Sequence, residues 1–190
     1  MSEKIGNHII RLKEIDSTNS YLKDKSELLQ KNGLVVIAEI QVSGRGRAGR
    51  KFTSVIGNNV TFSVVLHPNL PLEEIQIFAL LAGVTGARVL ENYVKKIRLK
   101  WPNDVLVNEK KICGILLETI TIPDHFFPVL IMGIGLNTKG CPHDYPEELQ
   151  NIVTTIESEM SPYSDKTAKT ETASVLDNEI IFQQILLELN

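Results

Sequence analysis

Residues 44–51, with the sequence GRGRAGRK, contain three glycines and four cationic side chains. Glycine lets the backbone reach positive φ and approach a ligand closely, and arginine presents a planar fork of donors that fits a carboxylate or a phosphate. A solvated basic turn would explain the charges but not the glycines between them. This segment, the glycine-arginine loop, is therefore predicted to bind a small anionic molecule.

Two other interpretations of the loop are less favoured. It matches the G-x-G-x-x-G fingerprint of dinucleotide-binding proteins, and an apolar strand-like run at 34–38 precedes it, but residues 52–59 have no helical apolar period. No acidic residue that ends a second strand follows about 20 residues on, as the ribose contact would require. A nucleic-acid site is disfavoured because the net charge is -3 and no second basic cluster with interleaved aromatics lies nearby.

The composition indicates one globular domain that remains in the cytoplasm. The chain has 190 residues, 43% of them hydrophobic and 23% charged, without a long apolar run or a signal-peptide core. Two cysteines, Cys113 and Cys141, are expected to be free thiols in a reducing compartment. Cys141 and His143 could supply two ligands of a metal site, but no second pair of Cys or His residues stands at ligand spacing. A loop is therefore predicted at these residues.

Apolar periodicity predicts strands alternating with three helices. The helices are expected from Ser17 to near Gly33, from Glu73 to Lys96, and from Thr172 to the C-terminus. In the second helix, one apolar stripe is expected to face the core; it consists of Ile77, Leu80, Leu81, Val84, Ala87, Leu90 and Val94. Strands are predicted at 9–12, 34–38, 60–66, 97–100, 105–107, 112–117 and 126–136, with a hairpin turn at 108–109. This pattern is typical of an α+β fold with a mixed sheet.

Five motifs together closely resemble the catalytic domain of biotin protein ligase, the biotin-[acetyl-CoA-carboxylase] ligase family. They occur in the family's order and spacing over residues 8–190, and any one alone would be weak evidence. The motifs are Ser17-Thr18-Asn19, the glycine-arginine loop, KWPND at 100–104, KKICGILLE at 110–118 and GIGLN at 133–137. The resemblance implies a mixed, mainly antiparallel sheet with helices packed on one side.

The resemblance also implies a two-step reaction with ATP and biotin as substrates and Mg²⁺ as cofactor. The biotin carboxylate attacks the α-phosphate of ATP to give biotinyl-5′-AMP and pyrophosphate, and a lysine of a biotin carrier domain then takes the biotinyl group. A carboxylate and a phosphate repel each other by about 4 kcal/mol per unit charge pair at 4 Å in an effective dielectric near 20, so cations must bring them together. The loop arginines and Lys111 are the candidates.

Site residues carry over position by position from the resemblance. Lys111 and Arg47 are expected to be catalytic, and Asp104 is a candidate Mg²⁺ ligand, although Asn103-Asp104 fits a simple turn equally well. By strand period, Lys110 should point to the opposite, solvent face. The expected biotin-binding residues are Ser17, Thr18, Asn19, Gln41, Gly44, Arg45, Gly46, Arg47, Lys111 and Gly114. The expected ATP and adenylate contacts are Arg45, Arg47, Arg50, Lys100, Asn103, Asp104, Lys111 and Asn137.

The chain departs from the family pattern in a few ways. Phe52 stands where tryptophan is usual, and Cys113 replaces a small residue. Residues 1–190 are expected to form a single catalytic domain without the N-terminal DNA-binding domain or the SH3-like C-terminal domain of the family, so a repressor role is not expected. The expected partner is the biotin carrier domain of acetyl-CoA carboxylase or of another biotin-dependent carboxylase. Neither nucleic acid nor membrane is expected to bind, and the protein should be a monomer or a weak homodimer.

Two rival functions remain open at this point. A lipoate or octanoate ligase or transferase has the same fold, but its loop usually has a different order of arginine and glycine, and its substrate tail needs a longer apolar tunnel. A non-catalytic biotin-binding module would keep Ser17, Thr18 and Gln41 but could dispense with Lys111 and Asn137. Both of these last residues are present, which favours an enzyme.

Overall fold

The computed structural model describes residues 4–122, 126–160 and 176–190. Seven strands form one sheet: β1 (Ile9–Ile15), β2 (Val35–Gln41), β3 (Asn59–Leu66), β4 (Ile97–Lys100), β5 (Asp104–Val107), β6 (Lys110–Ile120) and β7 (Val129–Asn137). The α-helices are α1 (Thr18–Lys23), α2 (Ser26–Leu29), α3 (Ile77–Leu90), α4 (Ile156–Met160) and α5 (Asn178–Leu189). Among these described residues, no helix has the length and apolar character needed to cross a membrane.

The sheet has the order β1-β2-β3-β7-β6-β5-β4, and only β1 and β2 pair in parallel. Every residue of β7 is buried, because this strand lies at the centre between β3 and β6. The hairpin of β5 and β6 turns at Asn108 and Glu109, whose φ angles of 47° and 66° match a two-residue turn that follows the strand twist. The predicted α+β fold with a mixed, mainly antiparallel sheet is confirmed.

Helices cover both faces of this sheet. The two long helices α3 and α5 pack on one face, where the Phe62 and Phe182 rings meet edge to face with centroids 5.2 Å apart. The short helices α1 and α2 cover the other face, and there Leu22 packs with Val36 and Val65. The prediction that helices pack on one side of the sheet therefore holds for the long helices only, because residues 18–29 form a second layer on the opposite face.

The predicted apolar stripe is wrong at the start of α3, whereas Leu90 and Val94 are buried as predicted. Ile77, Leu80 and Leu81 are 51%, 46% and 51% exposed, and the small residues between them face the sheet instead. A Cβ added at Gly86 would lie 3.8 Å from the Cys113 sulfur, so the helix backbone approaches the strands closely. Small side chains permit this approach, whereas leucines would hold the helix away. The buried face consists of Ala79, Ala82, Gly83, Thr85, Gly86, Val89 and Leu90.

Two predicted helices also differ in extent. The helix expected from Ser17 to near Gly33 is interrupted after Lys23 and resumes at Ser26. Glu73 belongs to a separate short 3-10 turn, and α3 ends at Leu90 instead of reaching Lys96. The expected start of the last helix at 172–174 lies outside the described residues. Within them, α5 is capped by the Asp177 carboxylate, which accepts from the Glu179 backbone N–H at 2.8 Å.

Candidate active site

A cavity of about 410 Å³ lies on the sheet face that α1 covers, beneath the glycine-arginine loop. All predicted site residues except one line it: Ser17, Thr18, Asn19, Gln41, Arg45, Gly46, Arg47, Arg50, Lys100, Asn103, Asp104, Lys111, Gly114 and Asn137. The exception is Gly44, which is buried at the base of the loop, where an added Cβ would be 2.3 Å from the Phe52 carbonyl oxygen. Gly44 therefore permits a close backbone approach that shapes the loop and does not itself line the cavity.

Three glycines form the floor of the cavity. Gly133 and Gly135 on β7 pair with Leu116 and Gly114 of β6, so their Cα atoms present one face. An added Cβ would lie 2.3 Å from the Asn19 Oδ1 at Gly133 and 2.4 Å from the Phe52 ring at Gly135. A side chain at either position would displace these neighbours, so the glycines let the Asn19 and Phe52 side chains pack directly against the backbone of β7.

Uncharged polar side chains form a connected group at the α1 end. The Thr18 backbone N–H donates to Gln41 Oε1 at 2.8 Å, and its hydroxyl lies 3.1 Å from the same oxygen and 2.6 Å from the Ser63 hydroxyl. Ser63 donates to Asn19 Oδ1 at 2.5 Å. Ser17 is the first-turn cap by position, but its side chain makes no capping hydrogen bond. Capping therefore does not account for this buried triplet, which lines the cavity and is linked to β2 and β3 through Gln41 and Ser63.

The glycine-arginine loop closes on itself above this floor. Gly46 donates its N–H to the Arg50 carbonyl at 2.7 Å, and Arg45 and Lys51 form an isolated antiparallel bridge. At the tip, Ala48 and Gly49 have φ angles of 53° and 73°, values that favour glycine and are unusual for alanine. The sequence correctly predicts a loop here, and its closed geometry directs the cationic side chains over the cavity.

The cations of the cavity differ in how they are paired. Arg45 meets Glu118 at 3.0 Å, and the Lys111 Nζ lies 2.7 Å from Asp104 Oδ1. Within the described residues, Arg47 and Arg50 make no ion pair; the nearest polar partner of Arg47 is the Asn103 amide oxygen at 3.4 Å. The loop therefore offers uncompensated positive charge to an anionic ligand.

Lys111 reaches the cavity because β6 contains a β-bulge. Two adjacent residues of β5 pair with Cys113 and Lys111, which leaves Ile112 as an extra residue on β6. Ile112 and Cys113 both lie in the hydrophobic core, while Lys111 and Gly114 both line the cavity. On a regular strand, residues three apart would point to opposite faces, so the bulge redirects the lysine.

Lys110 points away from the cavity, as predicted, but not onto a solvent face. It pairs with Val107, whose side chain is fully buried in the core on the other side of the sheet. Lys110 is consequently half-buried at the margin of that core. Its stem can cover apolar surface while the ammonium reaches water.

A buried amide network fixes the far end of the cavity. Asn137 donates to the Thr154 carbonyl at 3.0 Å and accepts from the Asn59 amide at 2.9 Å. Asn59 also donates to the Tyr145 hydroxyl at 3.2 Å. Burial raises the pKa of Tyr145, and the hydrogen bond from Asn59 opposes this rise. Asn137 is 3% exposed, so its orientation is set by the protein.

Asn103 and Asp104 belong to both a turn and the cavity wall. Residues 101–103 form the turn between β4 and β5, and the Asn103 amide donates to the Ile115 carbonyl at 2.9 Å. Both side chains line the cavity. The two interpretations of this motif are therefore compatible, because the turn directs both side chains to the site.

The two cysteines lie outside this chemistry. Cys113 faces the core, and burial raises the pKa of its thiol to about 12. Cys141 precedes a short 3-10 turn and donates its N–H to the Asp144 carboxylate at 2.8 Å. The described residues contain no group of three or more His, Cys, Asp or Glu side chains arranged to hold a metal ion.

Several residues in and beside the cavity have no role predicted from the sequence. Glu118, in the KKICGILLE motif, does not line the cavity but pairs beside it with Arg45 and Lys23. Tyr145, Leu149, Asn151, Ile152 and Val153 line the cavity and come from a stretch without a periodic signal. These residues reach the cavity through tertiary packing. Val153, for example, forms an isolated parallel bridge with Lys111.

The fold and the cavity agree with one protein family. The chain belongs to the biotin/lipoate A/B protein ligase family, whose model matches residues 12–137. The resemblance to biotin protein ligases seen in the sequence is confirmed by named relatives. The bifunctional ligase/repressor BirA of Bacillus subtilis is 36% identical over 156 residues, which are 82% of this chain and 48% of that protein. The biotin--[acetyl-CoA-carboxylase] ligase of Mycobacterium tuberculosis is 32% identical over 130 residues, 64% of this chain and 46% of the relative.

Solved structures show the same architecture. The biotin protein ligase from Aquifex aeolicus in complex with biotin and ATP superposes with a TM-score of 0.75 at 32% identity, over 96% of this chain and 68% of that chain. The Leishmania major enzyme in complex with biotinyl-5-AMP has a TM-score of 0.73 at 24% identity, over 96% of this chain and 73% of that chain, and supports the fold alone. This chain spans about half the length of the curated relatives it matches.

Proposed function

We propose that this protein uses ATP to ligate biotin to a lysine of a biotin carrier domain, by way of biotinyl-5′-AMP. The carrier is the corresponding domain of acetyl-CoA carboxylase or of another biotin-dependent carboxylase. The observation that carries the proposal is a single cavity with uncharged polar groups at one end and uncompensated cations at the other. This arrangement suits a neutral ring whose distal carboxylate must meet a triphosphate.

The biotin ring is assigned to the α1 end of the cavity. A ureido ring presents two N–H donors and one carbonyl acceptor, and Ser17, Thr18 and Gln41 supply neutral partners of both kinds. The glycine floor lets Asn19 and Phe52 pack close to β7, and Phe52 supplies an apolar surface for the bicyclic ring. The structure of the Aquifex aeolicus relative with biotin and ATP supports the assignment of both ligands to this fold.

The reacting groups are assigned to the space between the loop and β6. A carboxylate and an α-phosphate repel each other by about 4 kcal/mol per unit charge pair at 4 Å in a dielectric near 20. Arg47 and Arg50 are not committed to an ion pair among the described residues, so they can offset this repulsion. Lys111 is assigned to the oxygen that joins the carboxylate to phosphorus, where charge develops in the transition state.

The adenine ring is assigned to the Asn137 end. The Asn137 amide uses one hydrogen on Thr154 and one lone pair on Asn59, which leaves one donor and one acceptor. Adenine offers the complementary pair, an N6 donor beside an N7 acceptor. Because the protein already fixes the orientation of the Asn137 amide, hydrogen bonding to this edge of adenine costs the side chain no further rotational freedom.

A Mg²⁺ ion fits the site only as a partner of the triphosphate. Mg²⁺ usually takes one or two protein carboxylates and fills its other positions with water and phosphate oxygens. Asp104 supplies one carboxylate at the cavity wall, and its buried Oδ1 lies 2.7 Å from the Lys111 ammonium. Asp104 would hold the ion together with the phosphates of ATP. The ion would neutralise phosphate charge there.

The test is pyrophosphate release from purified protein with ATP and biotin, in the presence and absence of a carrier domain. We expect a burst of about one pyrophosphate per site without carrier and continuous turnover with it, together with the mass increase of one biotinyl group on the carrier. Lipoate and octanoate replace biotin in matched reactions. Release with lipoate but not biotin would support the lipoate ligase alternative, and biotin binding without release would indicate a binding module.

A further inference from the structure

Glu118 lies at the junction of the glycine-arginine loop, α1 and β6. Its side chain is only 14% exposed and receives four contacts from cationic or amide donors. Arg45 meets both carboxylate oxygens, with Nη2 at 3.0 Å from Oε1 and Nη1 donating to Oε2 at 3.2 Å. Lys23 donates to Oε1 at 3.1 Å, and Asn19 donates to Oε2 at 3.0 Å. One carboxylate therefore joins three elements of the cavity wall.

The pair of Arg45 with Glu118 is the strongest side-chain link between the loop and the rest of the described protein. The other links are weaker: Arg45 reaches the Ser20 hydroxyl at 3.4 Å, and Arg47 reaches the neutral Asn103 oxygen at 3.4 Å. Two-point contact between guanidinium and carboxylate fixes orientation as well as distance. A loop whose cations repel one another gains most from such an anchor.

We propose that Glu118 is the positioning residue that holds the glycine-arginine loop closed over the cavity, acting through Arg45. The proposal rests on the function proposed above and deepens it. Because both oxygens of Glu118 contact Arg45, that guanidinium is committed to the protein. The reacting anions are then met by Arg47 and Lys111. Glu118 consequently gives the two arginines different roles: Arg45 pairs with Glu118 and holds the loop, and Arg47 meets the substrate. Glu118 itself does not touch the substrate.

The test compares two variants that alter the same carboxylate cluster. Glu118→Gln keeps the shape and an acceptor for Asn19 but removes the charge that Arg45 needs, whereas Lys23→Gln removes the other cation and leaves the Arg45 pair intact. Hydrogen exchange at residues 45–52 is measured in the ligand-free proteins, with β7 amides as the internal reference. The KM for biotin and the kcat of pyrophosphate release are measured separately.

We expect Glu118→Gln to raise exchange at 45–52 and the KM for biotin by about 5- to 30-fold, which corresponds to about 1–2 kcal/mol at 1.4 kcal/mol per tenfold change. The kcat at saturating biotin should stay within about twofold, because closure by bound ligand replaces the lost anchor. Lys23→Gln should leave both quantities within about twofold, because Lys23 lies outside the loop and contacts Glu118 at a single oxygen.

Three outcomes would overturn the proposal: unchanged exchange in Glu118→Gln, a loss in kcat instead of KM, or equal effects of the two variants. If the β7 amides also lose protection, the comparison is repeated with Glu118→Asp. This variant keeps the charge but draws it back by one methylene. Full protection of the loop in Glu118→Asp would likewise contradict the bidentate anchor. Exchange is measured without substrate, so it tests the anchor even if the wild-type protein releases no pyrophosphate, a result that would refute only the proposed function.

Discussion

Replacing Lys111 by alanine should slow biotinyl-adenylate formation by two or more orders of magnitude. Its ammonium lies in the cavity, 2.7 Å from Asp104, and both side chains are largely shielded, at 33% and 22% exposure. The β-bulge at Ile112 is what directs this lysine to the cavity. Lys110, one residue earlier, carries the same charge on the other face and is therefore a matched control.

The magnitude follows from the charge that develops in the transition state. A full charge about 3 Å from the ammonium is worth about 5.5 kcal/mol in an effective dielectric near 20, so a half-developed charge is worth about 2.7 kcal/mol. This agrees with oxyanion donors, whose removal costs about 2.7–4 kcal/mol, or about 10²–10³ in rate. Lys110→Ala loses a cation outside the cavity, so its rate should fall by less than about threefold.

The measurement is single-turnover pyrophosphate release at saturating biotin and ATP, with each variant's thermal unfolding recorded in parallel. Lys111→Ala also leaves the Asp104 oxygen without its ion-pair partner, so a modest loss of stability is expected. Equal rate losses for the two variants, or a larger loss for Lys110→Ala, would refute both the bulged register and the assigned role of Lys111.

Three further predictions concern other parts of the site. Arg47→Ala should shorten the half-life of bound biotinyl-adenylate more than it weakens biotin binding, since carboxylate and phosphate are joined only in the intermediate; proportional losses in a dilution-release assay would contradict this. Gly135→Ala should weaken biotin binding at least tenfold by calorimetry, because its methyl group would lie 2.4 Å from the Phe52 ring; unchanged affinity would show that the floor does not contact the ligand. At pH 8, iodoacetamide should label Cys141 but not Cys113 in the native protein, because burial raises the pKa of the Cys113 thiol to about 12 and the thiolate is the reactive form. Mass spectrometry after digestion measures this, and equal labelling would indicate that the core opens readily.

Part of the site could be predicted from the sequence, because each motif that defines it consists of a few consecutive residues. The glycine-arginine loop combines residue types that have few structural uses, and the structure places it above the cavity. The hairpin at Asn108 and Glu109 likewise depends on a few neighbouring residues. The motif predicts that Gly44 contacts the ligand together with its neighbours, whereas the structure shows a tight backbone approach of Gly44 to Phe52.

The buried face of α3 and the contacts of Glu118 could not be predicted without the tertiary structure. The helix is apolar almost all round, so hydrophobicity alone does not distinguish the face of Leu80 and Leu81 from the face of Ala82 and Gly86. The choice depends on how closely β5 and β6 approach, a non-local distance. Glu118 is similar, since its partners lie 73 and 95 residues away along the chain.

The glycine floor makes changes of substrate range asymmetric. Gly114, Gly133 and Gly135 already carry the smallest side chain, so no substitution can deepen the cavity there. A methyl group at any of them would push the Lys111, Asn19 or Phe52 side chain farther into the cavity and narrow it. Room for a bulkier ligand would therefore have to come from the walls, by truncation of Leu116 or Phe52, whereas one glycine substitution would suffice to favour a smaller ligand.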